Sequence, residues 1–348
     1  PMITCLLWLP AAWAYTLNGR SWEKDYPTEE AFELNEASFP KELVDPGVLE
    51  ERFQLGVTIW NTQSLAVLHL PYGGLNEDLQ HGDGNNDHNT TLYTAYYEGT
   101  SLAKARHNAI DGALTDCDVT FYGSNLNGEI PWSFEYDGAP EGTYDFTHTV
   151  IHELGHCLGI SHSEEQAAIM YGSSTKGSGW EKRDLHADDI AAVQDLYGLA
   201  TVEWYIDSWW VEDENDDGLL QEGDRAQLVV QLRNESSGHV YDVIGALSGQ
   251  HPALSWETTA LNIGDLAPLQ AVEPLRFHFQ ITEDCQPHSA IPFQLTVEDL
   301  LGNQQSTEGS LTLSCLDEQP GEEPSADGCS CSPSGQGASA YAGSAWFL

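Results

Sequence analysis

The stretch His152-Glu153-Leu154-Gly155-His156-Cys157-Leu158-Gly159-Ile160-Ser161-His162 fits H-E-x-x-H-x-x-G-x-x-H, and nothing else in the chain constrains it as strongly. His152 and His156 are four residues apart, so on a helix they share one face. Glu153 follows the first of them, rotated toward the open side of a shared metal. Gly159 tolerates a positive φ, so the helix can stop there and the chain can turn sharply. That turn brings His162 back to the same ion. Three protein ligands leave a fourth position for water, the mark of a catalytic rather than a structural zinc. The spacing therefore predicts His152, His156 and His162 as Zn²⁺ ligands and Glu153 as general base toward the water.

Ser163 extends the motif to HExGHxxGxxHS, and here the sequence resembles the matrixin family of metzincin zinc peptidases. Met170, in Ala168-Ile169-Met170-Tyr171-Gly172, resembles the family's Met-turn beneath the metal. The run from Arg183 to Gly198 resembles the family's closing helix. Ile190, Val193, Leu196 and Tyr197 keep helical spacing there, and Gly198 fits a C-terminal stop. The resemblance covers about residues 15–198, most strongly 144–198. It implies an α+β metzincin catalytic domain, a twisted and mainly parallel sheet with the zinc-binding helix. It also implies an endopeptidase acting on protein or peptide substrates. Leu102-Ala103 resembles the edge strand along which matrixins align substrate backbone. The chain departs from the vertebrate pattern at Lys104, where those enzymes have a histidine of a second, structural zinc. His81-Gly82-Asp83 resembles only half of that site, so the second zinc is expected to be absent. No stretch resembles the cysteine-switch segment PRCGxPD.

Residues 46–61 place Leu49, Phe53, Val57 and Trp60 at helical spacing. Ala66–Leu70, Leu92–Tyr97 and Cys117–Tyr122 read as strands. After Thr201 the pattern changes to short alternating runs, Gln227–Leu232, Phe277–Ile281 and Phe293–Val297, separated by turn residues. These predict an all-β antiparallel sandwich, which resembles bacterial immunoglobulin-like adhesion modules. Asp213, Asn215 and Asp217, then Gly218 and Asp224, imitate the spacing of a Ca²⁺ loop. Asp83, Asn85, Asn86 and Asp87 form a second oxygen-rich loop. Each reads either as a calcium site or as a polar turn.

The chain of 348 residues carries 55 acidic and 12 basic side chains, a net charge of −43. That charge argues against nucleic acid and anionic membrane partners, which need basic patches. Residues 3–14 form an apolar core ending in Ala12-Trp13-Ala14, a signal-peptide cleavage pattern, so a secreted or cell-surface protein is expected. Export permits disulfides, and regional pairing predicts Cys117–Cys157 and Cys285–Cys315. Residues 317–328 read as a flexible linker. The following Gly328-Cys329-Ser330-Cys331 and Ala345-Trp346-Phe347-Leu348 resemble a myxobacterial C-terminal sorting tail, a route to cell-surface attachment. No complete transmembrane helix is present in the sequence. The expected division is a signal peptide at 1–14, a zinc peptidase domain at 15–199, a β-sandwich at 200–316 and a linker with tail at 317–348. Two functional classes follow: an active secreted zinc endopeptidase, or an adhesion protein using the same domain as a scaffold. An intact Glu153 favours the first.

Overall fold

The computed structural model describes residues 13–23, 31–76, 88–177, 179, 182–214, 220–221, 223–249, 251–268, 272–282, 290–312 and 330–331. The chain divides into two compact units, Pro1–Ala200 and Thr201–Leu348.

In the first unit, α1 (Pro46–Gln63) starts where the Asp45 carboxylate accepts the Gly47 N–H and Pro46 needs no partner. Its stripe of Leu49, Phe53, Val57 and Trp60 is buried. The sheet is built from β2 (Phe32–Leu34), β3 (Tyr72–Leu75), β4 (Asn89–Thr94), β5 (Ala103–Ile110) and β6 (Ala113–Tyr122), after a short β1 (Thr16–Leu17) outside it. The strand order is β3-β2-β4-β6-β5. The first three pairings are parallel, and only β5 runs antiparallel, against β6. Positive φ at Asp111 and Gly112, 52° and 94°, makes the tight turn that reverses the chain between them. β5 is thereby left as a sheet edge.

α2 (Phe146–Cys157) carries the histidine motif and is held at both ends. At its start the Asp145 side chain accepts the His148 N–H at 3.1 Å and pairs with Arg183 at 2.9 Å. Arg183 also donates to the carbonyls of Tyr136 and Glu135. At its end a Cys117–Cys157 disulfide ties the helix to β6. Trp22 Nε1 donates to the Cys157 carbonyl at 2.9 Å, and the Tyr197 hydroxyl to the Leu158 carbonyl at 2.6 Å. α1 packs close against α2 because Gly56 has no side chain; a Cβ there would lie 2.5 Å from Val150 Cγ1. α3 (Ala187–Tyr197) opens with a capping box of His186 and Asp189 and stops at Gly198, φ 86°.

Two expected strands need correction. Ala66–Leu70 is not a strand, although Ala66 and Leu70 are buried. The Asn61 side chain of α1 accepts the Leu70 N–H at 2.7 Å and donates to the Leu70 carbonyl at 2.8 Å. A side-chain amide thus replaces the ladder partner, and the strand begins only at Tyr72. The strand expected at Leu92–Tyr97 begins earlier, at polar Asn89, and ends at Thr94. Asn89, Thr90 and Thr91 are buried there, in a strand flanked by parallel β2 and β6, and the Asn89 side chain accepts the Cys117 N–H at 2.8 Å.

The second unit has two four-stranded antiparallel sheets. One has the order Trp204–Asp213, Arg225–Asn234, Leu275–Ile281, Leu254–Trp256. The other has the order Ala260–Leu266, Val240–Ser248, Ala290–Glu298, Gln304–Thr312. Leu228, Val230 and Phe277 of the first share one core with Val243, Leu295 and Val297 of the second. Ser330–Cys331 pairs with Leu220–Gln221, a contact the composition of the tail did not suggest. Cys285 and Cys315 lie outside the described residues, as do residues 1–12 and the oxygen-rich loop at 83–87. No helix among the described residues is long and apolar enough to cross a membrane.

Candidate metal centre

The N-cap at Asp145 starts α2 so that His152 and His156 fall on one face, and Gly159 then turns the chain at φ 97°. A Cβ on Gly159 would run into the Arg20 carbonyl oxygen, so the turn needs glycine for both its torsion and its space. Residues 160–161 pair with β1, and the Thr16 hydroxyl donates to the His162 carbonyl at 2.8 Å. The outcome is a cluster in which one ligand atom each from His152, His156 and His162 lies within 4.8 Å of the others. The ring centroids are 4.7, 5.3 and 4.9 Å apart.

The ring orientations fit a zinc ion. His152 Nδ1 is 2.7 Å from the Ile169 carbonyl and His156 Nδ1 is 2.7 Å from the Ile160 carbonyl. A carbonyl can only accept, so each Nδ1 carries the proton and each Nε2 presents a lone pair. Burial, helped by the neighbouring imidazoles, holds His152 down to about 3 and His156 down to about 4, so both rings are neutral near pH 7. The neutral imidazole is the form that ligates.

Glu153 is buried, and its Oε2 accepts the Ala105 N–H of β5 at 2.7 Å. Burial pushes its carboxyl up to about 7, opposed by the Ala105 N–H and by the Lys104 cation. A carboxyl poised near neutrality suits a group that must both take and return a proton. Met170 is buried against Gly155 of α2, where a Cβ would run into Met170 Sδ and lie 2.9 Å from Trp60 Cζ2. His148, one turn before His152, is engaged elsewhere, with Nδ1 2.6 Å from the Lys182 carbonyl.

Asp189 is a residue that sequence reasoning missed. Its carboxylate accepts the N–H groups of Ile169 at 2.8 Å, Met170 at 3.0 Å and His186 at 2.9 Å. The Ile169 carbonyl in turn receives His152 Nδ1. A side chain on α3 therefore fixes both the methionine turn and the orientation of a metal-facing ring. The only sequence signal was an acid three residues after a helix cap. Asp188 beside it accepts from the Ser163 hydroxyl at 2.6 Å and from the Ala14 N–H at 2.7 Å.

Of the four calcium candidates, the structure describes Asp213, which lies opposite Ala226 in the strand register, and Asp224, two residues before Ala226. Asp213 ends its strand, Asp224 precedes the next, and Asn215 and Asp217 lie outside the described residues.

The site thus combines a mainly parallel sheet with one antiparallel edge and a helix whose two histidines meet a third after a glycine turn. Residues 74–198 match the Matrixin family model. The chain is 38% identical over 82 residues to the probable matrix metalloproteinase 095L of Invertebrate iridescent virus 3, covering 22% of this chain and 21% of that protein. It is 37% identical over 94 residues to metalloendoproteinase 1-MMP of Arabidopsis thaliana, covering 25% of each. It is 34% identical over 119 residues to interstitial collagenase B of Mus musculus, covering 31% of this chain and 25% of that one. The chain thus spans about a quarter or less of the length of these relatives. Among solved structures, the catalytically inactive OgpA of Akkermansia muciniphila with an O-glycopeptide aligns over 87% of this chain and 96% of its own. Its TM-score of 0.25 and 10% identity carry no argument.

Proposed function

We propose that the protein is a secreted or cell-surface zinc endopeptidase that hydrolyses peptide bonds in proteins. The observation that carries this is the convergence of His152, His156 and His162 beside a buried Glu153, within a matrixin-like stretch. His152 and His156 would hold the zinc through Nε2, with His162 as the third ligand. When bound, the ion supplies Lewis acidity, which eases deprotonation of water and polarises a carbonyl. The chain's own residues do the rest. Ala105 N–H holds Glu153 Oε2, leaving Oε1 to take the proton from water. The water oxygen bonds to the carbonyl carbon of the substrate, and as the C–N bond breaks Glu153 passes the proton to the departing amine nitrogen. Met170 and the Asp189 carboxylate keep the floor of the site in place.

The second unit reads as an immunoglobulin-like sandwich that supplies localisation or substrate contact. Calcium at Asp213, Asn215, Asp217 and Asp224 is a subsidiary proposal, tested by metal analysis after dialysis. The test of the activity is hydrolysis of a generic peptide mixture by the purified chain, abolished by a chelator and restored by zinc. Glu153→Gln should keep the zinc and lose turnover by at least ~10²-fold. Near-normal turnover in that variant would sink the mechanism.

A further inference from the structure

Acidic residues outnumber basic ones 55 to 12 in this chain. A cation in such a chain has carboxylates close by in most directions, and most described arginines use one. In the second unit Arg225 pairs with Glu257, Arg233 with Asp207 and Glu235, and Arg276 with Glu212. In the first, Arg183 pairs with Asp145 and Arg52 with Glu51.

Strand β5 breaks this habit. Its burial alternates, with Ala103 buried and Ala105 half-buried on one face and Lys104 and Arg106 exposed on the other. Neither Lys104 nor Arg106 forms an ion pair among the described residues. Asp118, opposite Arg106 in the register, is buried and accepts the Thr90 N–H instead. Arg20, also exposed, reaches the same strand, with Nη1 3.4 Å from the His107 carbonyl. Lys41, Lys176 and Lys182 are exposed too, but on segments outside β5.

The position of these cations matters because β5 is the sheet edge and Ala105, between them, donates its N–H to Glu153. An extended peptide that adds to this edge would meet the catalytic carboxylate at Ala105 and show every second side chain to the Lys104 and Arg106 face. We propose that this edge selects extended polypeptide segments with acidic side chains at two alternate positions, paired with Lys104 and Arg106. The proposal rests on the peptidase reading for the identity of the site, and it adds the chemical class of substrate.

The experiment measures binding apart from turnover. Full-length, zinc-loaded Glu153→Gln is titrated into two labelled peptides by fluorescence anisotropy. The peptides are identical except for Glu or Gln at alternate positions of a six-residue stretch. The Glu peptide should bind on the order of tenfold more tightly at low salt, from two exposed ion pairs, and the difference should shrink as salt is added. Adding Lys104→Glu and Arg106→Glu should abolish or reverse the preference, whereas Lys104→Arg with Arg106→Lys should retain it. Zinc content and circular dichroism check that each variant is folded. Equal binding of the two peptides, no binding of either, or a preference unchanged by charge reversal overturns the proposal. A wild-type chain that prefers the Glu peptide yet hydrolyses nothing with zinc present refutes the peptidase reading alone.

Discussion

Gly159 answers to two constraints at once, a φ of 97° and the Arg20 carbonyl lying where a side chain would begin. Gly159→Ala should therefore cost about 1–3 kcal/mol from backbone strain, with the displacement of Arg20 in addition. Because His162 hangs on that turn, the zinc content of the purified variant should fall together with its denaturant midpoint. A stable variant with full zinc would show that His162 reaches the ion without the turn. The two outlying histidines of α2's neighbourhood separate the same way. His162→Ala should lose zinc on elemental analysis, whereas His148→Ala should retain it, since His148 Nδ1 is already committed to the Lys182 carbonyl. The reverse pattern would replace His162 by His148 in the ligand set. At this scale the candidate triad is legible in sequence because helix spacing and one glycine contain all the information. Asp189, Trp60 and Ala105 are not legible, because their roles arise where segments far apart in sequence meet.

α2 depends on its attachments at both ends more than on its own twelve residues. A helix of that length is marginal alone in water, so tertiary contacts must hold it. The Cys117–Cys157 bridge spans 40 residues and joins the end of α2 to the centre of β6, whose partner β5 holds Glu153. Replacing both cysteines by alanine should lower stability by about 2–4 kcal/mol, read as a lower urea midpoint. Zinc should still bind at saturating concentration, since both sulfurs are bonded to each other and the cluster consists of three histidines. Unchanged stability would mean that Trp22 and Tyr197 alone suffice to anchor the helix end. Elements also show where pattern reading fails. Ala66–Leu70 is as apolar as a buried strand, yet Ser64, Gly198 and Asn61 take the N–H groups of Ala66, Val67 and Leu70 in turn, and no ladder forms. Asn89–Thr91 is polar, yet it forms a buried strand between two parallel neighbours. Periodicity reports burial, and burial does not specify which group completes the hydrogen bonds.

On the scale of the whole molecule, the described residues form two hydrophobic cores with no residue in common. One runs from Trp22 to Tyr197 and the other from Trp204 to Leu311. Every residue assigned to the metal centre belongs to the first unit: the three histidines, Glu153, Ala105, Met170 and Asp189. The contacts that position them, from Ala14 on Asp188 to Trp22 on Cys157, also begin and end there. A fragment of residues 13–200 should therefore fold, bind about one zinc and cleave short peptides without the second unit. Its turnover per zinc on a short fluorogenic peptide should lie within a few-fold of the full chain's. On large protein substrates the fragment should fall further behind, if the β-rich unit serves to hold them. Preference for acidic peptides should survive in the fragment, because Lys104 and Arg106 remain. A folded, zinc-loaded fragment without turnover would mean that residues after 200 complete the active site, and the functional division at that point would have to be abandoned.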